Sequence, residues 1–165
     1  MDLRRTLLLF SFIFTGSLAI AQPKGRWTIQ DGGAIRWSIN DNIPHDDHLE
    51  MSGQQLSVVL RYGVDAQKRF HLNRSLVFPM LRMHPNKTQN NLKQRFDVNI
   101  PALVTVDDQT LLNEEVRDVT FNGIMRVESS FGYIYRRKEL KDAVQLTRVL
   151  YPSTNAAHYC EEYTF

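Results

Sequence analysis

Leu56-Ser57-Val58-Val59-Leu60-Arg61-Tyr62-Gly63-Val64 is the stretch that decides the fold. Leu56, Val58, Leu60, Tyr62 and Val64 share one side of a period-2 pattern, and Ser57, Arg61 and Gly63 share the other. A strand turns successive side chains to opposite faces, so this alternation predicts a half-buried sheet strand with a core face and a wet face. Asp65-Ala66-Gln67-Lys68 follows as a loop. Phe70, Leu72, Leu76 and Phe78 then resume the alternation until Pro79. Arg74 interrupts this second apolar face, so that strand is expected to be only partly covered.

The same pattern spreads outward in both directions. Trp27 and Ile29 precede Asp31-Gly32-Gly33, after which Ile35, Trp37 and Ile39 alternate again. Asp and Gly tolerate positive φ, so this dipeptide between two alternating runs predicts a hairpin. Val119 and Phe121 reach Asn122-Gly123, a second hairpin signal, before Met125 and Val127. Ala102, Val104 and Val106 lead to Asp107-Asp108, whose side chains favour turns. Val144, Leu146 and Leu150 form a run stopped by Pro152 and Ser153, and Tyr159, Glu161, Tyr163 and Phe165 alternate to the last residue. About ten short strands separated by turn signals predict an all-β, antiparallel β-sandwich. Asn86 to Phe96 stays open between a helical turn and a strand, because Leu92 and Phe96 fit both periods. No repeat, low-complexity tract or Pro/Gly/Ser linker divides residues 22–165, which are expected to form one unit.

Composition sets the class and the address. The 165 residues carry a net charge of +2, with 42% hydrophobic and 23% charged side chains, which are ordinary globular values. Charges of both signs are interleaved without a basic stripe, which argues against a nucleic-acid partner. One cysteine, Cys160, excludes an internal disulfide framework and an all-cysteine metal site. Arg4 and Arg5, an apolar run from Leu7 to Ala21 and the Ala19-Ile20-Ala21 triplet have the layout of a signal peptide over residues 1–21. The run is shorter and more interrupted than the roughly 20 apolar residues of a spanning helix. Export to the periplasm or the cell exterior is therefore expected, with no membrane association beyond it.

Candidate chemistry concentrates in His45-Asp46-Asp47-His48-Leu49-Glu50. If a strand begins at Leu49, His48 and Glu50 project from one face about 7 Å apart. Such a pair suits a zinc site or a general base, with His45 or Asp47 arriving from the preceding turn. No established metal spacing is present, and the simpler reading makes Pro44 and the two aspartates a turn with hydrogen-bonded histidines. His45, Asp47, His48 and Glu50 are accordingly weak substrate-binding candidates, and neither a metal nor a cofactor is expected. The acidic residues sit mostly in turns (Asp46, Asp47, Asp107, Asp108) or singly along strands, so no catalytic pair is assigned. Trp27, Trp37, Tyr133, Tyr135, Tyr159 and Tyr163 could stack sugars, although period-2 aromatics more often pack in a core. Nucleotide loops and serine-hydrolase elbows are absent from the sequence.

Three longer stretches carry a family resemblance. They are Pro44 to Gly53 with Val58 to Asp65; Phe78-Pro79-Met80-Leu81-Arg82 with Pro85-Asn86-Lys87-Thr88; and Arg148-Val149-Leu150-Tyr151-Pro152-Ser153. Together they resemble the N-terminal β-sandwich of bacterial secreted six-hairpin glycoside hydrolases, across most of residues 27–165. The resemblance implies a supersandwich-like fold preceding an (α/α) toroid that carries the catalytic carboxylates. It also implies that these residues are the N-terminal part of a longer enzyme, reaching its glycan through a C-terminal catalytic domain. The family's catalytic acid and base match no position here. Two further classes remain open: a freestanding extracytoplasmic carbohydrate-binding module, and a small metal-dependent hydrolase centred on His45, His48 and Glu50.

Overall fold

A computed structural model describes residues 26–41, 43–82 and 91–165. The expected signal peptide and the 86–90 part of the ambiguous stretch lie outside the described residues. Twelve strands appear among the described ones. They are β1 (Trp27–Ile29), β2 (Ile35–Ser38), β3 (His45–Ser52), β4 (Ser57–Val64), β5 (Phe70–Arg82) and β6 (Asn91–Phe96), then β7 (Thr105–Val106), β8 (Gln109–Thr110), β9 (Glu114–Phe121), β10 (Met125–Tyr135), β11 (Lys138–Pro152) and β12 (Tyr159–Thr164). One short helix, α1 (Ile100–Leu103), connects β6 to β7. Among the described residues no helix is long and apolar enough to cross a membrane.

The strands form an antiparallel β-sandwich. One sheet has the order β1-β2-β9-β10-β11-β12, the other β3-β4-β5-β6, and β7-β8 is a separate ribbon. Both hairpin signals act as expected. Trp27 pairs with Trp37 around the Asp31–Gly33 turn, and Phe121 pairs with Met125 around Gly123, whose φ is 74°. Asp107 and Asp108 both take positive φ (50° and 60°) and join Val106 to Gln109. Two left-handed central residues match the right-handed twist of the flanking strands, as in a type I′ turn.

The core face of β4 is the one its alternation predicts. Leu56, Val58 and Leu60 have no exposed surface, and Tyr62 and Val64 keep 2% each. Val58, Leu60, Tyr62 and Val64 pack in one cluster with Trp37, Val119, Phe121, Met125, Val127 and Leu150 of the facing sheet. A second, smaller apolar cluster holds Ile100, Leu111, Phe131 and Leu146.

Two expectations need correction. The strand containing His45 starts at His45 itself rather than at Leu49, so Asp46 and Asp47 are strand residues and not a turn. β5 passes through Pro79 to Arg82. Its pairing with β6 slips between Phe78 and Arg82, and a proline without an N–H is accommodated at such an irregularity. The strand containing Arg74 is partly covered, as expected: Phe70, Leu72 and Leu76 are half-buried, and Arg74 itself, 3% exposed, points into the sandwich.

Candidate functional site

Starting β3 at His45 splits the polar cluster between two faces. His45 and Asp47 turn inward with Leu49 and Met51, while Asp46, His48, Glu50 and Ser52 face solvent. His45 packs its ring edge on Trp37, with centroids 4.9 Å apart and planes at 78°. Its Nε2 is buried without a hydrogen-bond partner, 3.8 Å from Asp47 Oδ2. Burial, reinforced by the charge of Asp47, pushes the Tyr62 hydroxyl pKa well above its ordinary value. His48 and Glu50 do share a face, as expected, but His48 is 73% exposed at its side chain. Among the described residues no group of three His, Cys, Asp or Glu is placed to hold a metal ion.

The outer face of the smaller sheet gathers a different set. In register, Gly63 lies between Asp46 of β3 and His71 of β5. With no side chain there, Asp46 Oδ1 and His71 Nε2 meet across the strand at 2.7 Å. A Cβ on Gly63 would come within 2.2 Å of the His45 carbonyl oxygen and 2.6 Å of Asp46 Oδ1. The next row places Arg61 between His48 and Asn73. His48, Arg61, His71 and Asn73 thus line a shallow depression of about 420 Å³. Sequence reading found His48 but not His71 or Arg61, because only the register of three strands brings them together.

The sandwich interior holds the other charged set. Both carboxylate oxygens of Glu161 are fully engaged. Oε1 accepts from Arg74 Nε and from the Tyr159 hydroxyl (2.6 Å); Oε2 accepts from Arg74 Nη2 (2.9 Å) and from the Tyr163 hydroxyl. Arg74 Nη1 donates to the Leu72 carbonyl at 2.9 Å, so that guanidinium is committed as well. Burial alone would lower the Arg74 pKa, but the bond and charge of Glu161 outweigh it and hold the group above its ordinary value. Arg148, also 3% exposed, pairs with Glu114, Nη2 donating to Oε2 at 2.8 Å. Nη1 lies 2.7 Å from Oε1, yet Oε1 receives no directed hydrogen bond and Arg148 Nε finds no acceptor. The guanidinium sits over the Phe70 ring, 5.9 Å from its centroid.

Arg74, Arg148 and Glu114 reach a cleft of about 680 Å³, whose walls include the start of β5, the 97–101 segment and the 111–114 segment. That volume is in the range of small-molecule sites. Glu114 and Glu161 stand on strands, each turned toward an arginine rather than toward another carboxylate. A signal for them exists in the pattern itself. Arg74, Arg148 and Glu161 occupy the core parity of their strands, with apolar or aromatic neighbours two residues to either side. Of the aromatics, Trp27 and Trp37 join Tyr62 and Phe121 in one packed group, whereas Tyr135 is 40% exposed. The fold and site together define an antiparallel β-sandwich with ion pairs in its interior. No protein-family model, curated protein or solved structure matches the chain.

Proposed function

We propose that the chain is the accessory N-terminal β-sandwich of an exported glycoside hydrolase, and that it has no glycosidase activity by itself. The family resemblance supports the first part; its described stretches fall on the β3–β4 hairpin, in β5 and at the end of β11, while 85–88 lie outside the described residues. One observation carries the second part: the largely covered carboxylates of Glu161, Glu114 and Asp118 are each committed to an arginine. Glu161 is bound by Arg74 and two tyrosines, Glu114 by Arg148. Asp118, held by Arg36 Nε at 2.7 Å and by Ser38 at 2.5 Å, has its pKa lowered chiefly by the Arg36 bond. Glycoside hydrolysis needs one carboxyl that donates a proton and a second that is free to attack or to activate water, flanking one bond. Carboxylates occupied in this way serve neither role.

The purified chain should turn over none of a range of plant and host oligosaccharides. A helical toroid of the resembled family, added in trans, should raise its thermal midpoint, since a partner that binds the native state stabilises it by mass action. Turnover by the chain alone, abolished by one Asp or Glu substitution, would refute the proposal.

A further inference from the structure

We propose that the tip of the β10–β11 hairpin is a wedge that docks the protein on an anionic lipid surface. This inference goes beyond the accessory-sandwich reading and departs from the sequence expectation of no membrane association after export. β9 pairs with β10 only as far as Phe131, and β12 pairs with β11 only from Thr147 onward. Past Gly132, whose carbonyl accepts from the Leu112 N–H at 2.7 Å, β10 and β11 pair only with each other among the described residues. Residues 133–140 therefore form a two-stranded arm. Its turn is Arg136-Arg137, closed by the Tyr135–Lys138 pair, and both arginines take left-handed φ, 48° and 67°. Such turns favour Asn, Asp or Gly, because an L side chain is strained there, and this chain follows that preference at Asp107-Asp108. Arginines at both positions hold charge at the tip against backbone strain, and strain kept at an exposed site points to a function.

The tip joins that charge to exposed apolar surface. Residues 133–141 hold Arg136, Arg137, Lys138 and Lys141 against Glu139, an excess of three in a chain whose net charge is +2. The positive charge of the protein is thus concentrated here, and the remainder is slightly acidic. Ile134 is 45% exposed and Tyr135 40%, and as neighbours in one strand they stand on opposite faces of the arm. A flat protein surface would cover one face and leave the other wet. The headgroup layer of a bilayer surrounds a wedge on both faces, so it covers both side chains while the arginines and lysines extend to the phosphates. Tyrosine suits that depth, with an apolar ring and a polar hydroxyl, and the Arg136 guanidinium already lies 5.1 Å from the Tyr135 ring centroid. Three strand residues past Gly132 reach about 10 Å. That places the tip in an interfacial layer about 5–7 Å deep with the sandwich still in water. The free strand edges of the arm then meet water and phosphate rather than hydrocarbon.

Sedimentation of the full chain with vesicles tests this. Vesicles of phosphatidylcholine with one-third phosphatidylglycerol should bind at least about tenfold more tightly than phosphatidylcholine alone, since each lysine or arginine near an anionic surface adds affinity. The apolar run from Leu7 to Ala21 also favours lipid, so amide exchange supplies the local readout: the anionic vesicles should protect residues 133–140. Arg136→Asn/Arg137→Gly removes two cations and installs the residues that a type I′ turn prefers, so the fold is kept and the thermal midpoint should hold or rise. In this turn variant the preference for anionic vesicles should fall to about twofold or less, and the protection should be lost. Lys93→Gln/Arg95→Gln removes the same charge from exposed positions of β6 and should leave both readouts unchanged. Unprotected residues 133–140, a preference untouched by the turn variant, or an equal loss in the β6 variant would each overturn the proposal. So would protection of 133–140 by soluble polyglutamate as strong as that by vesicles, which would assign the arm to an acidic protein partner. Turnover is not read in any of these measurements, so failure here leaves the accessory reading standing.

Discussion

At the scale of single residues, Glu161 is the most heavily engaged side chain described, with two bonds from Arg74 and one from each of two tyrosines. A buried ion pair gains little over an apolar replacement of equal size, because desolvation offsets the Coulomb attraction, yet breaking it strands a charge. Glu161→Leu should therefore cost about 3–5 kcal/mol in urea denaturation. The double variant Arg74→Met/Glu161→Leu should cost clearly less than the two single losses added together, since it leaves no charge behind. Strict additivity would show that the two side chains act independently. The tyrosines add a pH dependence. Burial first, then the Glu161 bond and charge, pushes the Tyr163 hydroxyl from near 10 up to about 12, and the same causes raise Tyr159. A raised folded-state pKa means that the unfolded chain gives up its proton first. That contribution to stability is whole below pH 10 and is lost as pH rises through 12. Urea midpoints measured across this window should fall, and Tyr163→Phe should flatten the fall. An unaltered slope in that variant would remove Tyr163 from the account.

At the scale of elements, β4 is where sequence and structure agree most fully, and the reason is physical. It is a central strand paired on both sides, with one face in the core, so burial alone writes its period-2 pattern. Leu60→Ala should cost about 2–5 kcal/mol and Arg61→Ala, on the wet face, about 0.5 kcal/mol or less. Equal losses would refute the register. β3 was harder to read, because it is an edge strand whose polar residues reach solvent from both faces near its start, which hides the alternation over His45 to His48. Charged side chains on such an edge also discourage pairing with another chain. The Asp46–His71 contact could not be read at all, since it depends on a glycine in a third strand. Gly63→Ala tests that contact. Its Cβ would press on the His45 carbonyl, a backbone atom that cannot swing aside, so the loss should approach the 1–3 kcal/mol typical of overpacking, about 2 kcal/mol. A neutral result would mean that β3 moves away from β4 without penalty.

At the scale of the whole molecule, the polar core residues are not scattered. On three neighbouring strands one polar residue separates the two apolar clusters: Ser129 between Val127 and Phe131, Arg148 between Leu146 and Leu150, and Glu161 between Tyr159 and Tyr163. A polar stripe therefore crosses the larger sheet and divides the interior into a larger core, built on β4 and the β2-β9-β10-β11 layer, and a smaller one under α1 and the β7-β8 ribbon. Each strand taken singly shows only an interruption of its apolar pattern; the stripe emerges when β10, β11 and β12 lie side by side. Apolar contact is broken at the stripe, so the two cores need not open together, and local unfolding follows the region with fewer buried apolar contacts. Amide exchange followed by mass spectrometry should show β4 opening only with global unfolding, whereas residues 98–111 exchange through a cheaper, partial opening. Phe131→Ala should accelerate exchange in 98–111 far more than in β4, because Phe131 belongs to the smaller cluster. Uniform acceleration along the chain would mean that the stripe transmits cooperativity rather than interrupting it, and the interior would then count as one core.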